Sequence, residues 1–398
     1  MINLEIPKKF GALVNQAHQA AAEIFRPNSR KYDIAEHEYP KELDIFAALL
    51  DGMNSSGEGG AGAGSVRRTE KSNQVRNGAN MSIVLGAIEL CWGDVGFLLS
   101  MPRQGLGNAA IASVANEEQL ARFGKLWASM AITEPDTGSD SANIKTTAVK
   151  DGDDYIINGE KIFVTAGERS DAVVVWATLD KALGRAAIKS FVVEKGTPGM
   201  EVVRLENKLG IRASDTAVIQ FTDCRVPAAN LLGDPDISQG FAGVMQTFDN
   251  TRPLVAAMAI GLARAALEET SKLLAEAGVE VDYDKPANQQ HAAAATYLGL
   301  EADWEAANLL TLKAAWMADN SKPNSLEASE AKAKAGRVVT ELTLKCVELC
   351  GSIGYSEHTL LEKWARDSKI LDIFEGTQQI QQLIVARRLL GKSSAELK

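Results

Sequence analysis

Hydrophobic periodicity changes twice along this chain, and the two changes limit its fold more than any single motif. From Ile6 to about Trp127 apolar residues recur at helical spacing, as in "FGALVNQAHQAAAEIF" and "YPKELDIFAALLDGM". "ANMSIVLGAIELCWGDVGFLLSM" is apolar on most faces, the pattern of a buried helix. From about Ala128 to Leu232 the period drops to two. "DAVVVWATL", "IKSFVVEKG", "MEVVRLE" and "TAVIQFTDCRV" read as strands, and Asn158-Gly159 in "DDYIINGEKIFVT" reads as a hairpin turn. Beyond about Asp234 long helical segments return. One starts near Pro253 and closes near Gly278, with Asp249 or Asn250 as its N-cap. "QHAAAATYLGLEADWEAANLLTLKAAWMADN" and "SLEASEAKAKAGRVVTELTLKCVELCGSIG" follow, and Thr377 opens a last helix, "QQIQQLIVARRLL". The expected fold class is α+β, mainly α. It comprises a helical N-terminal domain (1–127), a middle antiparallel β-domain (128–233) and a C-terminal four-helix bundle (234–398).

Composition narrows the partners. The net charge of -10 argues against nucleic acid or an anionic membrane surface, though a local arginine still serves an anionic ligand. No stretch reaches the apolar length of a membrane span, and "MINLEIPKKFGAL" lacks a signal-peptide layout, so the expected location is cytoplasmic. The four cysteines are too dispersed for a zinc site, and only Cys346 and Cys350 are close. No metal is expected. His18, His37, His291 and His358 show no catalytic pattern.

Several motifs are ambiguous taken singly. "GEGGAG" (57–62) matches G-x-G-x-x-G, but no strand precedes it and no apolar helix follows; it reads as part of the linker "NSSGEGGAGAGS". The loop in "MAITEPDTGSDSANIKTTA" offers hydroxyls and backbone N–H groups suited to a phosphate or a polar ring edge, and alone is also an ordinary polar connection. "QTFDNTRPLVAA" places Arg252 where it could meet an anionic or carbonyl-rich ligand, or simply lie on the surface. In "DIFEGTQQIQ", Glu375 stands before a glycine at the mouth of a helix. A helix-dipole carboxylate explains it at a few tenths of a kcal/mol; a catalytic base is the alternative.

Together and in order, "ITEPDTGSD", "YIINGEKIFVTAGERSDAVVVWA", "NKLGIRASDTAVIQFTDCRVPAANLLG", "FDNTRP" and "RDSKILDIFEGTQQIQ" resemble the acyl-CoA dehydrogenase family of flavoproteins. The likeness is dense from about Glu117 to Gly391. It implies FAD held between the β-domain and the bundle, an acyl-CoA substrate, and electron-transfer flavoprotein as acceptor. Glu375 matches the base that removes the α-proton of the thioester while the β-hydrogen leaves as hydride, giving a trans-2-enoyl-CoA. The developing enolate needs hydrogen bonds at the thioester oxygen, which the family draws from the glutamate N–H and a flavin hydroxyl. The base must also be desolvated.

The same resemblance assigns the remaining site residues. Met130, Ile132, Thr133, Gly138 and Ser139 match the loop around the flavin and its pyrophosphate. Thr165 matches a donor to the flavin, Phe163 stands where an aromatic wall, usually tryptophan, faces it, and Gly351, Gly376, Thr377 and Gln379 match further FAD contacts. Ser139, Asp249, Thr251, Arg252 and Gly376 match positions beside the substrate. Some relatives carry the base at the position of Thr251, so here the two sites do not compete. Trp92, Phe97 and Met101 match an acyl-tail region, and at helical spacing they are also ordinary core.

This chain departs from the family pattern at Glu280, Tyr283, Glu348 and Ser352, all at the expected contact between subunits and FAD. The expected assembly is a homotetramer or dimer. A mixed assembly with a related chain, a non-catalytic or weakly flavinylated acyl-CoA-binding subunit, and an acyl-CoA oxidase are the alternatives.

Overall fold

A computed structural model describes residues 7–47, 78–103, 105–234, 242–393 and 396, with only the backbone for 242–250. The glycine-rich segment 54–65, including the G-x-G-x-x-G match, lies outside the described residues.

Helices open the fold. α1 (Gly11–Ala20) runs through a π-helical turn, Ala21–Phe25, into α2 (Arg26–Ile34). The apolar segment after them forms two helices rather than one: α3 (Ala79–Gly93) and α4 (Val95–Leu99). Asp94 separates them, its side chain accepting from the Phe97 N–H at 2.9 Å as the N-cap of α4. α5 (Leu106–Val114) and α6 (Glu117–Phe123) lead to the sheet, and α6 opens with a capping box from Asn116 and Gln119.

Seven strands follow: β1 (Ala128–Ala131), β2 (Thr147–Asp151), β3 (Asp154–Thr165), β4 (Ala172–Thr178), β5 (Ile188–Glu194), β6 (Met200–Leu205) and β7 (Thr216–Pro227). The main path runs β1-β4-β2-β3-β7-β6, with β5 on β4. Most pairings are antiparallel, but β1 lies parallel to β4, so the sheet is mixed rather than purely antiparallel. Asn158-Gly159 is not the hairpin turn. β3 passes straight through it with a register shift, and the turn falls at Gly152-Asp153, between the paired Asp151 and Asp154. Gly152 supplies the positive φ of 63° there. At Gly159 the glycine serves close approach, since a Cβ would sit 2.4 Å from Thr146 Oγ1. The sequence signal was real backbone freedom, used for a bulge.

The C-terminal part contains α7 (Ala242–Glu276), α8 (Ala292–Asp319), α9 (Ser325–Tyr355), α10 (Leu361–Ser368) and α11 (Gln378–Leu390). Three long helices, α7, α8 and α9, pack on one another, and the shorter α11 packs on α9. α3 from the N-terminal part packs onto α7, so one apolar core spans both. α7 begins before Pro253, which lies inside it, so neither Asp249 nor Asn250 is its N-cap. An interior proline removes one backbone hydrogen bond and usually marks a helix start, hence the misplaced boundary.

Candidate active site

Glu375 sits on strained backbone. Its φ is +56°, and that of Gly376 is +93°. The left-handed region costs a residue with a Cβ about 1–2 kcal/mol. Contacts on both sides hold this pair. Lys332 on α9 donates from Nζ to the Gly376 carbonyl at 2.6 Å. Gln381 on α11 donates from Nε2 to the carbonyls of Glu375 at 3.0 Å and Gly376 at 3.2 Å. A Cβ on Gly376 would lie 2.4 Å from that same nitrogen and would push the Gln381 amide off the turn, so glycine serves the clasp as well as the φ. Thr377 caps α11 by accepting from the Ile380 N–H.

The carboxyl itself meets Thr251 on α7, whose Oγ1 donates to Glu375 Oε2 at 2.8 Å. Thr251 and Arg252 are both buried, and Glu375 is half-buried. Desolvation raises the Glu375 pKa above the ordinary carboxylate range, against opposing pulls from the Thr251 hydroxyl and the charges of Arg252 and Lys332. Asp249 belongs to the stretch whose side chains lie outside the described residues.

A second cluster forms on the sheet. The N–H of Ile162 donates to the Thr133 carbonyl at 2.9 Å, which lays the "TEPDTG" loop against β3. The loop turns tightly through Pro135 and Asp136, with Glu134 and Thr137 exchanging backbone hydrogen bonds. Beneath it Lys161 Nζ bonds Glu134 at 2.7 Å and the Ile132 carbonyl at 3.1 Å. Both Lys161 and Glu134 are buried. Burial pulls Lys161 down to about 8 even beside its carboxylate. Gly138 and Ser139 follow the turn, exposed, while Met130, Ile132 and Thr133 are half-buried.

Beside this loop a register shift between Lys161 and Val164 lifts Phe163 out of the ladder. Phe163 takes φ +57° and is 59% exposed. Thr165 ends β3, and Ala166 also has positive φ. Eight residues with a Cβ adopt positive φ among the described residues, and three of them are Phe163, Ala166 and Glu375. Such strain gathers where a site over-determines the backbone.

Other expected site residues lie on the surface or in the core. Gly351 is an exposed kink in α9 with φ +55°, and Gln379 is exposed. Glu280 and Glu348 are exposed as well, and Glu348 pairs with Lys345 at 2.6 Å. Phe97 and Met101 are buried among Phe25, Tyr32 and Leu43, so they form core; Trp92 is half-buried with the Arg26 guanidinium 3.3 Å above its ring. The sequence reading missed Lys161, Lys332 and Gln381. Lys332 had a visible signal: it falls within the apolar stripe of α9, with Ala328, Ala331, Ala335 and Val339 buried around it.

Comparison with known proteins decides the family. Residues 129–224 match the acyl-CoA dehydrogenase middle domain, and residues 238–390 match the acyl-CoA dehydrogenase C-terminal domain. The chain belongs to the acyl-CoA dehydrogenase family. A short-chain-specific acyl-CoA dehydrogenase of Clostridium acetobutylicum is 33% identical over 75% of this chain and 78% of its own length. The butyryl-CoA dehydrogenase structure from Megasphaera elsdenii superposes with a TM-score of 0.82 at 29% identity, covering 98% of this chain and all of that one (100%). A structure titled for the electron transferring flavoprotein of Acidaminococcus fermentans contains a chain matching with a TM-score of 0.82 at 30% identity, covering 98% of this chain and 100% of that one.

Members of the acyl-CoA dehydrogenase family are FAD-dependent flavoproteins, and the chain is accordingly an oxidoreductase of this group. The residues present fit a flavin: Phe163 offers an uncovered aromatic face on backbone strained to present it, beside a loop anchored by the buried Glu134–Lys161 pair. None of the described helices is long and apolar enough to cross a membrane.

Thr251→Val tests the tie between α7 and the candidate base. The hydroxyl stabilises the ionised carboxylate, so its loss raises the Glu375 pKa further. The acid limb of the pH–rate profile is expected to move to higher pH, with stability lower by only about 1 kcal/mol. Rapid-mixing rates across pH and thermal melts measure the two effects.

Proposed function

We propose that this chain dehydrogenates a short acyl-CoA thioester to the trans-2-enoyl-CoA, with Glu375 as the α-proton base. One observation carries the reading. A carboxyl fixed on left-handed backbone, hydrogen-bonded by Thr251 and pushed up in pKa by burial, supports a role in α-proton removal. A carboxylate of ordinary pKa is a poor base for so weak an acid.

Glu375 takes the proton, and its own N–H donates to the thioester oxygen, where negative charge develops. Arg252 and Thr251 flank the carboxyl and keep it poised to ionise. The chemistry that FAD supplies when bound is acceptance of the β-hydrogen as hydride. Met130, Ile132, Thr133, Gly138, Ser139, Phe163 and Thr165 would hold it from the β-domain, and Gly351, Gly376, Thr377 and Gln379 from the bundle. Ser139, Asp249, Thr251, Arg252 and Gly376 would border the substrate.

The short acyl chain is proposed from the short-chain and butyryl-CoA relatives. The similarity to a chain in the Acidaminococcus fermentans structure supports electron-transfer flavoprotein as the acceptor. The test is anaerobic mixing of the flavin-loaded protein with acyl-CoAs of increasing length. Bleaching fastest near four carbons is expected; no bleaching with any thioester would refute the proposal.

Phe163→Gly separates ligand binding from folding. Glycine accepts φ +57° without strain, so the apoprotein is expected to be as stable as the parent or more so. Loss of stacking worth roughly 1–3 kcal/mol is expected to weaken FAD binding about 5- to 150-fold. Equilibrium dialysis of FAD reads the change. Unchanged affinity would remove Phe163 from the flavin site.

A further inference from the structure

The Glu375-Gly376 turn is clasped by two side chains, and one of them is a lysine. Lys332 is fully buried, and its Nζ lies 2.6 Å from the Gly376 carbonyl. A carbonyl can be satisfied by a neutral donor, as Gln381 does on the same turn. An ammonium costs several kcal/mol to bury. The charge reaches two carboxylates beyond the hydrogen bond, Asp372 foremost and then Glu375.

Resting on the reading of Glu375 as the base, we infer that Lys332 is a positioning residue. Its hydrogen bond fixes the left-handed turn that aims the carboxyl, and its charge favours the ionised carboxylate. The cations that act on Glu375 are Arg252 on α7 and Lys332 on α9. Lys332 also faces Asp372, from the turn before the base, and Asp372 is paired with Lys369 at 3.0 Å. Removing Lys332 takes away one of the two cations that favour the ionised base, and the pKa of the base must rise. Lys332 is itself pulled down to about 8, chiefly by burial, against the opposing carboxylates. Its charge, and with it the bias on Glu375, weakens above that pH.

Three variants of the flavin-loaded protein separate the two roles. Lys332→Met keeps the stem and removes both hydrogen bond and charge. Its single-turnover bleaching rate at neutral pH is expected to fall about 100-fold, the scale of a 1 Å misplacement. Its acid limb is expected to move up by about one pH unit. Affinity for a non-oxidisable acyl-CoA thioether, read by calorimetry, is expected to fall much less than the rate, because the thioether lacks the carbonyl that the Glu375 N–H would meet. Lys332→Gln keeps a donor without charge: part of the rate returns, and the limb stays shifted. Lys332→Arg restores the limb.

A Lys332→Met enzyme whose rate and acid limb both match the parent overturns the inference. So does a loss of rate matched by an equal loss of thioether affinity at an unshifted limb. If Lys332→Met yields no folded protein, Gln against Arg makes the same comparison, and coincident limbs at the parent position overturn it. Failure here is distinct from failure of the functional reading: a Glu375→Gln enzyme that still bleaches would refute the base, whereas a silent one beside an indifferent Lys332→Met refutes only the role of Lys332.

Discussion

Glu375→Gln is expected to lower acyl-CoA-driven flavin bleaching by about 10²–10⁴-fold while leaving flavin and acyl-CoA bound. The amide has nearly the shape of the carboxyl and can still accept from Thr251, but it cannot take a proton. Its backbone stays clasped by Lys332 and Gln381, so the turn keeps its form. The same substitution has a second, opposite effect. Burial, foremost, raises the pKa of Glu375 in the folded state. A group with a raised folded pKa contributes stability below its unfolded pKa, and loses it as pH rises through the folded one. Above the ordinary carboxylate range Glu375 is therefore a cost to folding, and neutral Gln removes that cost. The variant is expected to melt higher than the parent at neutral pH, with the difference closing as the pH falls towards the ordinary carboxylate range. Stopped-flow bleaching and melts across pH measure the pair. Retained bleaching would remove the base assignment; a variant less stable than the parent at neutral pH would contradict the account of its pKa.

Much of the fold was legible because its three zones carry different hydrophobic periods. The strands written as β4 to β7 and the long helices α8 and α9 lie where alternation or helical spacing placed them. Misreadings came from residues with two uses. Gly159 signalled a turn and serves a bulge, and Pro253 signalled a helix start and lies inside α7. β1 and β2 are short strands beside a proline- and glycine-broken loop, too brief to show a period. Within the candidate site, Glu375, Thr251 and Phe163 were named because motifs carried them. Their supports were not. Lys332, Gln381 and the Lys161–Glu134 pair act through distances that only folding creates, 44 residues apart in sequence in the first case and 27 in the last.

The parts of the molecule meet upstream of the base, and there the largest loss of stability is expected. Lys363 on α10 is buried between Asp94, at 2.7 Å, and Asp367, at 2.5 Å. Ser29 of α2 donates to Asp94, and Asp367 accepts from the Ile211 N–H in the loop between β6 and β7. Arg366 adds a bidentate pair with Asp33 of α2 and a bond to the Leu209 carbonyl. One short helix thus joins the N-terminal helices and the β-domain, and its chain runs on through 369–372 to Glu375. Lys363→Met leaves two buried carboxylates without their counter-ion, which costs about 3–5 kcal/mol. The melting temperature is expected to fall by roughly 4–6 °C. The deficit has a pH sign. Asp367 already has a pKa raised by burial, and without Lys363 it rises further. Protonated, it needs no counter-ion, so the deficit shrinks as pH falls through that range. Adding Asp94→Asn and Asp367→Asn to Lys363→Met is expected to recover most of the loss, because no buried charge is then left unpaired. A single variant as stable as the parent, or a triple variant no better than the single, would show that packing of α10 rather than its charge joins the parts. Either way, bleaching rates of the same proteins tell whether the orientation of Glu375 depends on that junction.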